Sequence, residues 1–165
     1  MILEFIEQFT EDEILTDEDI YQLGEEWFYV EPELFLVGKD LPRKPVFVGT
    51  FLGKRKNDYL IPGVALLELL AKHKNTKKVF ISDKAAWLFV CGKNVLQPSI
   101  SRVEGTPEKD EMVLVMNGED CLGIGKVESS LADAKSIVTH LFDIGDFLRR
   151  ERKVRSDKPI EEKDK

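Results

Sequence analysis

Apolar residues recur with a helical period at the start of the chain. Ile2, Leu3, Phe5, Ile6 and Phe9 share one side, so residues 1–9 are expected to form an amphipathic helix packed on a first domain. An acidic linker follows. The alternation in DIYQLGEEWFYV around Gly24 predicts a β-hairpin whose second strand ends on Tyr29 and Val30. Pro32 suits the first turn of a short helix ending at Gly38. PVFVGTFLGKRK opens with β-branched and aromatic residues and closes on three cations, which predicts a strand entering a turn at Asn57 and Asp58, with Tyr59, Leu60 and Ile61 returning. In GVALLELLAKHK, Val64, Leu67 and Leu70 or Ala71 share a helical face, and the lysines close the last turn, where the helix dipole favours positive charge.

The pattern then starts afresh. KKVFI reads as a short buried strand, Ser82 as the N-cap and Asp83 as a first-turn residue of a helix running from Ala85 to Cys91 and stopped at Gly92. Beyond it come four strand-like runs: SISRVEG, EMVLVM, CLGIGKVES and SIVTHLF, the middle pair joined by the turn NGED. A final helix is expected from about Ile144, with Ile144, Phe147 and Leu148 on its docking side. The tail SDKPIEEKDK lacks apolar content and is expected to be disordered. No internal repeat is visible. The expected class is α+β, an antiparallel sheet with helices followed by a second, strand-rich unit. The expected division is 1–76 for the first domain, 77–155 for the second and 156–165 for the tail.

Hydrophobic residues make up 42% of the 165 and charged ones 33%, which fits globular domains rather than a disordered chain. No apolar run approaches the roughly 18 residues that cross a bilayer. MILEFIEQF carries no basic residue ahead of its apolar positions, as a secretory signal would. A soluble, cytoplasmic protein without a membrane partner is the expectation. Net charge is -7, but it is polarised: residues 1–38 hold 12 acidic and no basic side chains, whereas residues 39–93 hold 4 and 12. Such polarity bears on partners more than on fold.

Chemistry-bearing patterns are few. Cys91 and Cys121 stand apart without a C-x-x-C pair and are expected to be buried thiols. His73 lies in a basic run and is expected to be solvated. His140 follows β-branched residues and is expected to be structural, with an RNA contact or a pH-sensitive group as the lesser reading. GTFLGKR has three rather than four residues between its glycines, and Arg55 where a phosphate loop needs Ser or Thr, so it reads as a strand end. Gly123 and Gly125 suggest a bulge or close backbone packing rather than a dinucleotide loop. The carboxylate pairs Asp143 with Asp146 and Glu119 with Asp120 lack a neighbouring nucleophile, metal or cofactor loop. They read as solvated or capping groups. No catalytic residue, metal site or cofactor is expected.

The exception is LRRERKVR, residues 148–155, which places five cations in eight positions. On a helix starting near Ile144, Arg149 and Lys153 lie opposite the docking side, flanked by Arg150 and Arg152. Clustered guanidinium groups suit bidentate phosphate contacts and base stacking.

KAAWLFVCGKNVLQPSI, CLGIGKVE and HLFDIGDFLRRE, in that order across residues 78–155, make the second unit resemble a PUA domain, a small RNA-binding module. Together with VGTFLGKRK and GVALLELLAKHK before them, they resemble the nuclear import protein seven family of large-ribosomal-subunit assembly factors, in its short archaeal form. That resemblance implies an antiparallel N-terminal domain, a PUA-type β-barrel-like domain and no catalytic activity. It also implies a role in ribosomal RNA maturation, with single-stranded or uridine-rich RNA and ribosome-assembly or RNA-processing proteins as partners. The family's basic residues on the closing helix fall on Arg149, Arg150, Arg152 and Lys153, and Arg155 extends them. The acidic first 38 residues depart from the eukaryotic pattern. An alternative is an RNA-targeting accessory subunit of an RNA-modifying enzyme, since PUA modules accompany such catalysts. A protein adaptor working through the acidic N-terminus is a third reading.

Overall fold

The computed structural model describes residues 1–31, 33, 42–43 and 49–145. The short helix expected over 32–38, the start of the strand at 45–48, the helix beyond Gly145 and the tail 156–165 lie outside the described residues.

Two sheets organise the chain. The first is an antiparallel meander of β1 (Ile20–Leu23), β2 (Glu26–Tyr29), β3 (Thr50–Lys56) and β4 (Tyr59–Pro62) in sequence order. The expected hairpins are both present, turning at Gly24 (φ 62°) and at Asn57 (φ 56°). Both turn positions are left-handed, which glycine and asparagine tolerate best. Arg55 braces the second turn by donating from Nε to the Asn57 carbonyl at 2.8 Å.

The second sheet contains β5 (Lys78–Ile81), β6 (Val95–Leu96), β7 (Ile100–Glu104), β8 (Met112–Asn117), β9 (Asp120–Val127) and β10 (Ile137–Asp143). Their spatial order is β6-β10-β9-β8-β5-β7, and the sheet curls into a half-barrel. All pairs are antiparallel except β5 with β8. The two residues of β6 and the parallel pairing of β5 were not legible in the pattern.

The curl has a local cause in β9. A Cβ on Gly123 would stand 2.0 Å from the Phe142 carbonyl oxygen, and one on Gly125 would stand 2.4 Å from Val138. Register shifts occur on both flanks, between Val115 and Met116 and between His140 and Phe142. Bulges of this kind increase local twist, and only glycine allows the backbones so close.

Among the described residues three α-helices cover these sheets: α1 (Ile2–Glu7), α2 (Val64–Lys72) and α3 (Asp83–Val90). Ile2, Phe5, Ile6 and Phe9 are buried as the opening periodicity requires, with the Phe5 and Phe9 rings 5.2 Å apart. In α2 the buried face is Leu66, Leu67 and Leu70, whereas Val64 is 53% exposed. Val64 is the first residue of the helix, and its side chain lines an open groove rather than the core. The expected face is therefore rotated towards Leu66.

One core unites α1, α2, Trp27 and Leu52 with Phe80, Leu114, Met116 and Ile124 of the second sheet. A second core lies on that sheet's other face, where Val79, Ile81, Val113, Val115 and Val138 meet Ala85, Ala86 and Phe89 of α3. Strands β5 and β8 serve both cores through alternate residues, which explains why they read as unbroken apolar runs. No described helix is long and apolar enough to cross a membrane.

Candidate nucleic-acid interface

Strand β10 carries the chain towards the basic run, and its end is fastened by a compact set of contacts. Asp143 is fully buried, which replaces the expectation of a solvated carboxylate; the capping alternative accounts for one of its oxygens. Its Oδ1 accepts from the Gly145 backbone N–H at 2.7 Å, and its Oδ2 lies 2.6 Å from His140 Nε2. The His140 ring packs on Phe89 of α3 at 4.9 Å between centroids, while its backbone N–H donates to Asn94 Oδ1 at 3.0 Å. Ile144 donates its N–H to the Leu122 carbonyl at 3.0 Å. His140 thus has the structural part expected of it, linking the end of β10 to α3.

The basic residues read as the site, Arg149, Arg150, Arg152, Lys153 and Arg155, lie outside the described residues, as does Asp146. What the structure shows is the ground around their point of departure. Ile144 lines a groove of about 820 Å³ shared with Val64 and Lys72 of α2, Phe80 of β5, Arg102 of β7 and Cys121 of β9. Two of its cations, Lys78 and Arg102, are engaged. Glu104 receives Arg102 Nη1 at 3.0 Å and Lys78 Nζ at 3.5 Å, and the Arg102 guanidinium sits 3.8 Å from the centre of the Phe80 ring. The buried Lys78 Nζ also donates to the His73 carbonyl at 2.7 Å.

Elsewhere in the second unit the pattern of pairing continues. Lys77 Nζ meets Glu111 at 2.7 Å, and Lys126 Nζ meets Asp110 at 2.7 Å. The hydrogen bond from Lys126 holds the Asp110 carboxyl below its ordinary range and raises Lys126 in turn. Glu111 is lowered first by the Glu108 backbone N–H and then by Lys77. By contrast, Lys84 and Lys93 have no carboxylate within 4.0 Å among the described residues.

These two lysines flank the most exposed large apolar side chain described, Trp87, 73% exposed on the outer face of α3. Leu88 on the same helix and Leu96 on β6 are exposed as well. The sequence reading passed over this face. A signal was available: Ala85, Ala86 and Phe89 occupy one side of the helix, which puts Trp87 and Leu88 on the other.

Other expectations resolve locally. Cys91 is exposed rather than buried, because it caps the C-terminus of α3 just as the chain leaves the sheet. Cys121 is half-buried, and burial pushes its thiol up to about 11, far from a reactive thiolate. His73 is half-buried, with Nδ1 3.5 Å from Asp12 Oδ2. GTFLGKR supplies strand β3: a Cβ on Gly49 would stand 2.0 Å from the Tyr29 carbonyl oxygen, so that glycine serves strand packing, not phosphate cradling. Among the described residues no group of three His, Cys, Asp or Glu side chains is arranged to hold a metal ion.

Comparison with known proteins bears on the same unit. Residues 77–152 match the model of the UPF0113 PUA domain family. Two solved archaeal structures share the fold over 91% of this chain. A conserved PUA-domain protein from Thermoplasma acidophilum does so at 18% identity, over 91% of its own length, with a TM-score of 0.55. A hypothetical protein from Pyrococcus horikoshii does so at 16% identity, over 93% of its length, with a TM-score of 0.57. No curated protein matches the chain in sequence. The architecture is therefore mixed α+β, with an antiparallel first sheet and a curled PUA-type second sheet.

Proposed function

We propose that this chain is a non-catalytic RNA-binding factor of large-ribosomal-subunit assembly and ribosomal RNA processing, akin to the nuclear import protein seven family. It would act in the cytoplasm of an archaeon beside other assembly or processing proteins. The division into an N-terminal domain, residues 1–76, and an RNA-binding domain, residues 77–155, belongs to this reading. The observation that carries it is the PUA match over residues 77–152. PUA is in general an RNA-binding fold, and the matched segment takes in Arg149, Arg150 and Arg152. The anchored end of β10 supports the same reading. Arg149 is four positions beyond Gly145, a reach of at most about 14 Å, so the first of the cations is tethered close to a fixed point of the half-barrel. Guanidinium groups there would grip phosphates and stack on splayed bases of single-stranded RNA. Lys77, Lys78, Arg102 and Lys126 are held in internal ion pairs, and the closing run is the densest cluster of cations in this domain's sequence.

The test is a salt titration of binding to single-stranded, uridine-rich RNA by the full chain. Four cations on phosphates give a slope of log affinity against log salt of about -3, at about 0.7 per contact. Replacing Arg149, Arg150, Arg152 and Lys153 together by Ala should remove most of that slope. Unchanged affinity in this variant would refute the assignment, and new base modifications in ribosomal RNA incubated with the protein alone would refute the non-catalytic reading.

A further inference from the structure

We propose that the groove beside Ile144 is the seat of the chain's own closing segment, residues 146–155, docked as a helix with Phe147 and Leu148 on the apolar floor and with Arg152 and Arg155 turned towards an acidic rim. The seating does not depend on the RNA-binding reading above, but it decides which cations that reading can use.

Three observations converge on it. First, the groove leaves apolar surface open to water. Val64 is 53% exposed and Ile144 37% exposed, and both line the same cleft with Ala71, Phe80 and Leu122. A single exposed apolar side chain is ordinary, whereas two on one cleft make a continuous patch that a partner can cover. Second, the path of the chain selects the occupant. Ile144 is tied to the groove wall through its N–H bond to the Leu122 carbonyl, and the Gly145 N–H is held by Asp143 Oδ1 at 2.7 Å. Leu148 follows three positions after Gly145, at most about 11 Å along the chain. A segment tethered so close meets the groove at a high effective concentration and loses none of the translational freedom that a separate partner gives up.

Third, the charges are complementary. Glu68, Glu104, Glu119 and Asp120 all line the groove. Glu104 holds Lys78 and Arg102, but Glu68, Glu119 and Asp120 have no cation within 4.0 Å among the described residues. On a helix continuing from Ile144, Arg152 and Arg155 stand one and two turns after Leu148 and bring positive charge to that rim. Glu151 falls on the same side and suits Lys72, a groove cation that likewise has no carboxylate within 4.0 Å among the described residues. Arg149 and Lys153 stay on the opposite side with Arg150 beside them, open to phosphate. The carboxylate rim repels a polyanion, so the groove suits this cationic segment and not the RNA backbone.

The experiment is hydrogen exchange read by mass spectrometry on the full chain without RNA. Docking predicts that the amides of residues 146–155 exchange roughly ten- to a hundredfold more slowly than an unstructured peptide of the same sequence. Val64→Asp, made at a side chain that is already exposed, should remove most of that protection while β8 and β9 keep theirs, and Phe147→Ser with Leu148→Ser should do the same from the other side of the contact. Glu119→Lys with Asp120→Lys should speed exchange of the segment roughly threefold, the scale of exposed ion pairs. Exchange at the unstructured rate in the wild type, or protection that Val64→Asp leaves untouched, overturns the inference. Unchanged exchange in the charge-reversed variant overturns the part given to the acidic rim. Protection that vanishes on dilution would assign the groove to the closing segment of a second copy and overturn the intramolecular seating. The RNA-binding reading is decided separately, by the affinity of its own quadruple variant.

Discussion

Helices α2 and α3 are of similar length and similarly apolar, yet they treat their largest side chains in opposite ways. In α2 three leucines, Leu66, Leu67 and Leu70, are fully buried between the two sheets. In α3 the bulkiest residue faces outwards, and the inner side is made of Ala85, Ala86 and Phe89. Phe89 is the one large side chain that α3 buries completely, beside the small Ala85 and Ala86, while Trp87 stands on the other side. Two helices with the same apolar content can therefore do different work: α2 joins the sheets, and α3 closes one face of a sheet and offers a ring to the outside.

That contrast can be broken by exchanging burial for exposure. Phe89→Ala should cost about 3–5 kcal/mol and Leu67→Ala about 2–5, both large falls in thermal midpoint, since each removes a fully buried side chain from a packed core. A smaller loss for Phe89 than for an exposed residue of α3 would undo the account of how that helix is anchored. Asp143→Asn comes next. Asparagine lacks the carboxylate charge and places an NH₂ where one oxygen accepts, against Gly145 N–H or His140 Nε2. About 1–3 kcal/mol should be lost in denaturant unfolding, together with altered amide exchange in β10 and α3.

The Lys77–Glu111 pair, which ties the chain just after α2 to the start of β8, should make a smaller contribution. The Glu108 backbone N–H first, and Lys77 after it, hold the Glu111 carboxyl below its ordinary range, so the stability from both contacts is present above that range and lost as pH falls through the depressed value. Glu111→Gln should flatten the acid limb of a stability-against-pH curve by a modest amount, because the pair is partly exposed to water. The smallest effect on folding belongs to Trp87→Ala, which should stay within about 0.5 kcal/mol of wild type in thermal unfolding. A large destabilisation there would show that the ring supports the core and would sharpen the comparison in the other direction.

Much of the architecture was readable because single strands and helices impose their periods on the residues that build them. The opening helix, both hairpins of the first sheet and the long strands of the second sheet follow from spacing and from turn residues such as Gly24, Asn57 and Gly118. The glycines of β9 were legible as a close approach, although not as the source of the sheet's curl. Val64 and Cys91 were misplaced because each sits at a helix end, where exposure is decided by how the adjoining chain packs rather than by the helical period. Trp87 was passed over because a tryptophan within an apolar run reads as core until the packing distance of its helix is known.

The sequence by itself determined the order of the elements, the two-sided burial of β5 and β8, and the placing of five cations in eight residues near the end of the chain. Those are properties of local period and composition. Only the tertiary structure decided that β5 runs parallel to β8, that Asp143 is buried between His140 and Gly145, and that Lys84 and Lys93 have no carboxylate partner among the described residues while Lys77, Lys78, Arg102 and Lys126 find one. Each depends on which distant segments the sheets bring within a few ångströms of one another, and a charge or a ring acquires its role from those neighbours rather than from its own place in the chain.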